Sequence, residues 1–139
     1  MAKQSIRRPM TMMMVSPFAD YIHMALMTGA TAAAMGRPVT YFFSKGAAKF
    51  LTEDGWANLK TSEGIEAPAM DTMLEEKGIA DSTLLIDGLN ALNVRFVVCE
   101  TTLHEHDIDP VILIKRPAVE ISGLADVLEK GEGGDWLTF

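Results

Sequence analysis

The stretch Met10–Phe43, MTMMMVSPFADYIHMALMTGATAAAMGRPVTYFF, decides the fold class. The apolar run Met10–Val15 is continuous rather than alternating, which is typical of a strand that is covered on both faces of a parallel sheet. The following residues repeat apolar side chains every three or four positions, and Gly36 lies where a helix commonly ends. Val39–Phe43, rich in β-branched and aromatic residues, predicts a second strand. This order is a βαβ unit, which implies parallel pairing and a right-handed crossover.

The rest of the chain continues to alternate between helices and strands. The patterns predict helices at Ala69–Lys77, from Asp81 or Ser82 to Asn93, and at Gly123–Lys130, and strands at Val94–Val98, Val119–Ile121 and Trp136–Phe139. We therefore predict one α/β domain over residues 1–139, a three-layer, flavodoxin-like sandwich with a mostly parallel five-stranded sheet and helices on both faces. Residues 1–9 are predicted to form a flexible N-terminal arm. The irregular segment Thr52–Pro68 is expected to cover the site or to contribute to an interface.

Composition and charge limit the classes of partner that we expect and indicate the cellular compartment. With 139 residues, of which 48% are hydrophobic, the chain is long enough for one core. A formal net charge of -7 leaves no basic surface that would neutralise a run of phosphates, which disfavours nucleic acid and anionic membranes as partners. No segment is predicted to span a membrane. The single cysteine cannot form an intramolecular disulfide, so we expect a reducing, cytoplasmic setting.

The ten methionines are many for a chain of this length. Met10 and Met12–Met14 fall in the first predicted strand, and Met24, Met27 and Met35 fall in the first predicted helix. Flexible methionine side chains commonly fill a core, so we predict that these residues are buried. A metal-binding methionine cluster is the alternative that we consider weaker.

The stretch Arg95–His106, RFVVCETTLHEH, contains the one cysteine and two of the three histidines. Cys99 ends the third predicted strand, and ligands of open α/β sheets bind outside the carboxyl ends of strands. If the following residues form a helical turn, the helix dipole favours the thiolate of Cys99, whereas Glu100 and Glu105 oppose it. A lone cysteine at a strand end is equally well a small buried hydrophobic residue, and both interpretations stay open.

Other site chemistries find little support in the sequence. On a helix Cys99 and His106 share a face, but His104 points away, and His23 lies far upstream, so no metal site is predicted. The glycine-bounded stretch Gly29–Gly36 lies late in a helix and is neither a dinucleotide fingerprint nor a phosphate loop. A Gly-x-Ser-x-Gly nucleophile elbow is absent from the sequence. We therefore predict no cofactor.

Three segments together resemble the DsrE/DsrF-like family of small sulfur-relay proteins. They are Ala30–Phe43 (ATAAAMGRPVTYFF), Asn93–Glu100 (NVRFVVCE), and the closing pair Ile121–Leu128 (ISGLADVL) and Trp136–Phe139 (WLTF). The resemblance covers most of the chain from Met10 onward. It implies a flavodoxin-like sheet, assembly into homo-oligomers such as trimers or hexamers, and a cysteine that accepts sulfane sulfur as a persulfide.

The resemblance implies a catalytic role for Cys99 alone. As a sulfurtransferase-like carrier, Cys99 would take sulfur from a donor protein or a small persulfide and pass it to an acceptor thiol. Thr101 and Thr102 are candidates for stabilising the developing anion, and His104 or His106 for handling protons. Because the chain lacks a second cysteine, the acceptor must belong to another subunit or protein.

Two other functions compete with the carrier. A non-catalytic, oligomeric module of the same fold would bind a small ligand in a pocket near Cys99, because fold does not determine function. A small redox or peroxide-handling enzyme is the weaker alternative, since it would need a resolving cysteine. Accessibility and reactivity of Cys99 distinguish the carrier from the module.

Overall fold

A central sheet of five strands organises the structure, a computed structural model that describes residues 7–139. The strands are β1 (Met10–Met14), β2 (Val39–Phe43), β3 (Arg95–Cys99), β4 (Val119–Ser122) and β5 (Asp135–Thr138). Their order across the sheet is β4-β3-β2-β1-β5, and all four pairings are parallel, where the sequence predicted a mostly parallel sheet. The predicted fold class, a single α/β domain of three layers, is confirmed.

The helices are divided between the two faces by the order of the strands. They are α1 (Ala19–Ala34), α2 (Ala67–Glu76), α3 (Ser82–Ala91), α4 (Glu100–Glu105) and α5 (Leu124–Lys130), with short 3₁₀ helices at Lys45–Leu51, Trp56–Asn58 and Pro110–Ile112. The connections from β1 through β4 all step in one direction, so right-handed crossovers keep their helices on one face. The connection from β4 to β5 returns across the whole sheet, and the same handedness places α5 on the other face.

Alternating side chains give the sheet two unequal faces. On the first, the largest buried side chains pack beneath α1 and α3, and they include Met12, Met14, Tyr41, Phe43 and Phe96. On the second, a small cluster combines Phe42, Val97 and Cys99 with Val127 of α5. The main core therefore lies on the first face, and Cys99 belongs to the second.

Local signals explain where the helices begin and end. Gly36 follows α1 with a φ of +86°, a left-handed conformation that glycine adopts without strain. Asp81 precedes α3, and its carboxylate accepts the backbone N–H of Leu84 at 2.9 Å, as an N-cap residue does. The strand predicted at Val39–Phe43 and the helix start predicted at Asp81 or Ser82 are confirmed.

The prediction that the methionines of α1 fill the core is wrong. Met24 and Met35 are 54% and 55% exposed, and Met27 is also exposed, whereas Met12 and Met14 of β1 are fully buried as predicted. The buried face of α1 is instead formed mainly by the small residues Ala19, Ala25, Gly29 and Ala32, together with Ile22 and Leu26. Small side chains let the helix axis approach the sheet closely, so the long side chains point outward.

The predicted N-terminal arm is only partly described by the structure. Its residues 1–6 lie outside the described part of the chain. The carbonyl of Arg8 accepts Arg37 Nε–H at 2.9 Å, and the carbonyl of Pro9 accepts the N–H of Asp135 at 2.9 Å. These contacts join Arg8 and Pro9 to Arg37 and to β5, and the flexible arm over residues 1–9 stays a prediction.

The irregular segment 52–68 holds helices together on the first face. Ser62 donates its N–H and its hydroxyl to the carboxylate of Asp20, at 2.8 and 2.6 Å. The indole N–H of Trp56 donates to Asp71 in α2 at 2.7 Å. These contacts connect the segment to α1 and α2 rather than to the cluster around Cys99.

Candidate functional site

Cys99 lies where a strand passes directly into a helix. It is the last residue of β3 and the N-cap residue of α4, with no loop between them. The residues after Cys99 form a helical turn, which is the condition under which the sequence placed the thiol at a helix N-terminus. The residue is only 6% exposed, and its side chain belongs to the apolar cluster of Phe42, Val97 and Val127. The thiol therefore occupies the carboxyl edge of the sheet but is covered.

The position of α4 is fixed by two buried residues, Thr102 and Leu103. The hydroxyl oxygen of Thr102 accepts the backbone N–H of Lys45 at 3.0 Å, across from the end of β2. Lys45 has a φ of +51°, an unusual conformation for a residue with a side chain. This hydrogen bond joins α4 to the residue that follows β2, so it holds the start of α4 against the sheet.

The predicted supporting residues do not gather around the thiol. Thr101 is exposed, and Thr102 is buried with its hydroxyl bonded to Lys45. His104 lines a surface cavity of about 270 Å³ together with Glu100, Leu103, Ile108, Pro110 and Ile121. Because Ile121 pairs with Val98, that cavity opens on the face of the sheet opposite to Cys99.

His106 and Lys45 both interact with Glu105. Lys45 Nζ lies 2.8 Å from a carboxylate oxygen of Glu105, and His106 Nε2 lies 3.3 Å from the other. The hydrogen bond from Lys45, with the neighbouring charges of Lys45 and His106, holds the pKa of the Glu105 carboxyl below its ordinary value. His106 is thus paired on the outer surface of α4.

The third histidine, His23, is a buried structural residue of α1. Its Nε2 lies 2.9 Å from the carbonyl oxygen of Ala80, in the turn between α2 and α3. A carbonyl only accepts hydrogen bonds, so Nε2 carries the proton. Among residues 7–139, no three His, Cys, Asp or Glu side chains are grouped as metal ligands.

Three polar residues on the same face of the sheet as Cys99, Ser122, Asp126 and Arg95, were missed by sequence reasoning. Ser122 of β4 is the register partner of Cys99, and its hydroxyl donates to Asp126 at 2.9 Å. Arg95 Nη2 reaches the same carboxylate at 3.2 Å. The spacing of Ser122, Asp126 and Lys130 by four residues was the available signal, because such residues face each other on a helix and its cap.

Asp126 is the centre of this polar group. Lys130 Nζ lies 3.1 Å from its carboxylate, which gives Asp126 partners on β3, β4 and α5. Hydrogen bonds from Lys130, Ser122 and Arg95, in that order, hold the pKa of Asp126 below its ordinary value. Asp126 is therefore a carboxylate that joins α5 to two strands.

Comparison with known proteins adds information about the fold. Neither models of known protein families nor curated proteins match the sequence. The crystal structure of the YchN protein from E. coli superposes with a TM-score of 0.63 at 19% identity, over 96% of this chain and 100% of that one. The chain has the fold of YchN. MTH1491 from Methanobacterium thermoautotrophicum, described as a protein of unknown function, matches with a TM-score of 0.57 at 14% identity over the same shares.

The likeness to YchN concerns the arrangement of the backbone. It supports the flavodoxin-like α/β fold that the sequence resemblance implied, and it covers nearly the whole described chain. Membership of the DsrE/DsrF-like family stays a prediction. In the part of the chain that the structure describes, no helix is both long and apolar enough to cross a membrane.

Proposed function

We propose that this protein is a sulfur carrier that holds sulfane sulfur on Cys99 as a persulfide and passes it to a partner thiol. The observation that carries the proposal is the place of Cys99 in the YchN-like fold. It ends β3 at the carboxyl edge of the parallel sheet and caps α4, the location where open α/β sheets bind their ligands. The resemblance of Asn93–Glu100 to the sulfur-relay family supports the same residue.

The transfer needs no oxidant or reductant besides the donor persulfide and the acceptor thiol. The thiolate of Cys99 attacks the outer sulfur of a donor persulfide, so a new S–S bond forms while the donor S–S bond breaks. The donor leaves as a thiolate that takes up a proton. An acceptor thiolate then attacks the outer sulfur on Cys99, which restores the Cys99 thiolate. Each step exchanges one S–S bond for another.

The surroundings of Cys99 suggest which groups assist. Thr101 is exposed at the start of α4, so its hydroxyl is free to donate to an anionic sulfur when Cys99 is reached from outside. Thr102 is a weaker candidate, because its hydroxyl oxygen already accepts the Lys45 N–H. His104 and His106 remain candidates for proton handling on the outer surface of α4.

Assembly into homo-oligomers, trimers or hexamers, is part of the proposal. With one cysteine in the chain, the acceptor thiol belongs to another subunit or to another protein. The outer face of α1 supports assembly, since no Lys, Arg, Asp or Glu occurs between Tyr21 and Gly36 in a chain with a net charge of -7. Two acidic copies repel each other least across such an uncharged face.

A second candidate function is a non-catalytic module that binds a small ligand. The burial of Cys99 among Phe42, Val97 and Val127 favours it, because a structural cysteine is expected in such surroundings. A cavity of about 350 Å³ beside α1 would suit an apolar ligand, and it is lined by Met10, Met24, Met27, Thr28, Thr31, Ala32, Met35 and Arg37. This candidate does not require Cys99 to react.

Sulfur loading distinguishes the two functions. Reduced protein is incubated with inorganic polysulfide, and its intact mass is recorded beside that of Cys99→Ser. A gain of sulfur on the wild-type chain, reversed by a thiol reductant and absent from the variant, supports the carrier. A folded wild-type protein that gains no sulfur, even over long incubation and under mild denaturant that exposes the thiol, contradicts it.

A further inference from the structure

Cys99 is covered by α5, the helix that packs on the second face of the sheet among the described elements. Val127 is the one buried residue of this seven-residue helix, at 1% exposure, and it packs in the cluster with Cys99. Leu124 and Leu128, one turn apart, are exposed on the outer side. A helix that buries a single side chain contributes little apolar contact to hold it in place.

Besides Val127 and the close packing of the C-cap Gly131 against Trp136 and Thr11, the attachment of α5 is polar and passes through Asp126. This carboxylate accepts hydrogen bonds from Arg95 on β3 and Ser122 on β4, at 3.2 and 2.9 Å. Ser122 is also the register partner of Cys99, so the attachment lies beside the thiol-bearing residue. One side chain thus connects the helix to β3, which carries the thiol, and to its neighbour β4.

Glycines lie at both ends of α5. Gly123 is its N-cap residue, and open space surrounds the position that a β-carbon would occupy there. Gly131 is the C-cap residue, and Gly133 follows with a φ of +80°. Glycine has more backbone freedom than other residues, so the connection at Gly123 can absorb a change in the direction of the helix. A β-carbon at Gly131 would overlap Trp136, so that end of α5 stays packed and is the end about which the helix would turn.

We propose that α5 is a lid over Cys99, held closed by Asp126, and that opening of this lid limits how fast the thiol meets a reactant. This inference rests on the proposed function. A persulfide anion formed in a cluster of Phe42, Val97 and Val127 would be a buried charge without a partner. Opening of the lid would let donor and water reach the reacting sulfur.

The test measures the rate at which iodoacetamide alkylates Cys99 in the folded protein, and it needs no sulfur donor. We expect Asp126→Asn to raise this rate roughly fivefold, because the uncharged side chain weakens the bonds from Arg95 and Ser122. Glu129→Gln is the matched control: it removes one negative charge from the same helix at an exposed position, so it reports any general effect of charge on thiolate formation. We expect wild-type behaviour from it.

Two further variants separate lid opening from loss of overall stability. Leu89→Ala removes a buried side chain of α3 on the other face and lowers global stability without touching α5. We expect it to alkylate more slowly than Asp126→Asn in native buffer. Gly123→Ser restricts the backbone of one connection without steric conflict and places a better N-cap residue before α5, so we expect slower alkylation than in the wild type.

The possible results lead to separate conclusions. Equal alkylation rates for Asp126→Asn, Glu129→Gln and wild type contradict the lid. Alkylation rates that follow only the overall stability of each variant contradict it as well. If Asp126→Asn is alkylated faster than the wild type while no variant accepts sulfur from polysulfide, the lid is supported and the carrier function is contradicted. If all variants load sulfur at one rate, the carrier stands and the lid fails.

Discussion

Gly29 of α1 and Tyr41 of β2 lie so close together that a β-carbon on Gly29 would overlap the hydroxyl oxygen of Tyr41. That hydroxyl donates to the carbonyl of Ala25 at 2.7 Å. Burial raises the pKa of Tyr41 far above its ordinary value, so the phenol stays a neutral donor. The contact fixes the distance between the longest helix and the centre of the sheet.

Replacing Gly29 by alanine is therefore expected to lower the free energy of unfolding by about 2 kcal/mol or more, because overpacking forces α1 away from Tyr41. Urea denaturation measures the change. Gly88→Ala in α3 is the matched control, since open space surrounds that position and alanine favours a helix, so unchanged or greater stability is expected. Adding Tyr41→Phe should recover part of the Gly29→Ala loss. Equal effects at the two glycines would contradict the packing argument.

Asp71 of α2 is a second structural centre that can be tested. Its carboxylate accepts the indole N–H of Trp56 at 2.7 Å and the N–H and hydroxyl of Ser82 at 2.9 and 2.5 Å. We expect Asp71→Ala to destabilise the fold by about 2 kcal/mol, since three donors lose a charged acceptor. Urea unfolding followed by tryptophan fluorescence measures the change, and in a Trp136→Phe background the signal also reports the environment of Trp56. The exposed Asp87 gives a control, and a similar loss in Asp87→Ala would argue against this role.

The contact between Asp20 and Ser62 predicts a dependence of stability on pH. Burial raises the pKa of Asp20, but hydrogen bonds from the side chain and backbone of Ser62 outweigh it and hold the pKa below the ordinary value of 3.8. Because the folded-state pKa is the lower one, ionised Asp20 stabilises the fold above about pH 3.8, and this contribution is lost as the pH falls through the folded-state value.

We therefore expect the difference in unfolding free energy between wild type and Asp20→Asn to be constant near neutral pH and to shrink below pH 3.8. Urea titrations at several pH values measure it. Ser62→Ala removes the main donor and should reduce the same pH dependence. A difference that is as large in strong acid as at neutral pH would show that the charge of Asp20 is not the cause.

The exposed methionines of α1 allow a test of assembly. If copies of the chain meet through this face, Met24→Glu places a carboxylate inside the contact, and we expect the molar mass measured by light scattering to fall. Met73→Glu makes the same substitution at an exposed methionine of α2 and should leave the mass unchanged. Loss of assembly in both variants, or in neither, would place the contact elsewhere.

Features that depend on local sequence were predicted well. The strand Val39–Phe43, the glycine end of α1 and the capped start of α3 each follow from neighbouring residues, because turn chemistry and side-chain periodicity act over a few positions. The strand end at Cys99 was also predicted, since an apolar run met a polar one there. Each of these sequence signals lies within a single helix or strand or at its end.

Features that depend on which elements meet were not predicted. The direction of the Cys99 side chain follows from the pairing register of β3, and a shift of one residue would reverse it. The cover over Cys99 comes from α5, whose place depends on the return of the chain across the sheet to β5. The exposed side of α1 was assigned wrongly because alanines and methionines on one helix give no clear apolar face. Only the close contact between Gly29 and Tyr41 determines which side of the helix is buried.

The position of β1 between β2 and β5 has a consequence for biosynthesis. Met10 pairs with Val39 and with Asp135, so one neighbour of β1 follows soon after it and the other is translated much later. Until the last strand leaves the ribosome, one edge of the methionine-rich β1 has no hydrogen-bonding neighbour, and an open apolar edge invites association with other nascent chains. Chains shortened before Asp135 should therefore aggregate, because pairing of β5 is what covers the open edge of β1.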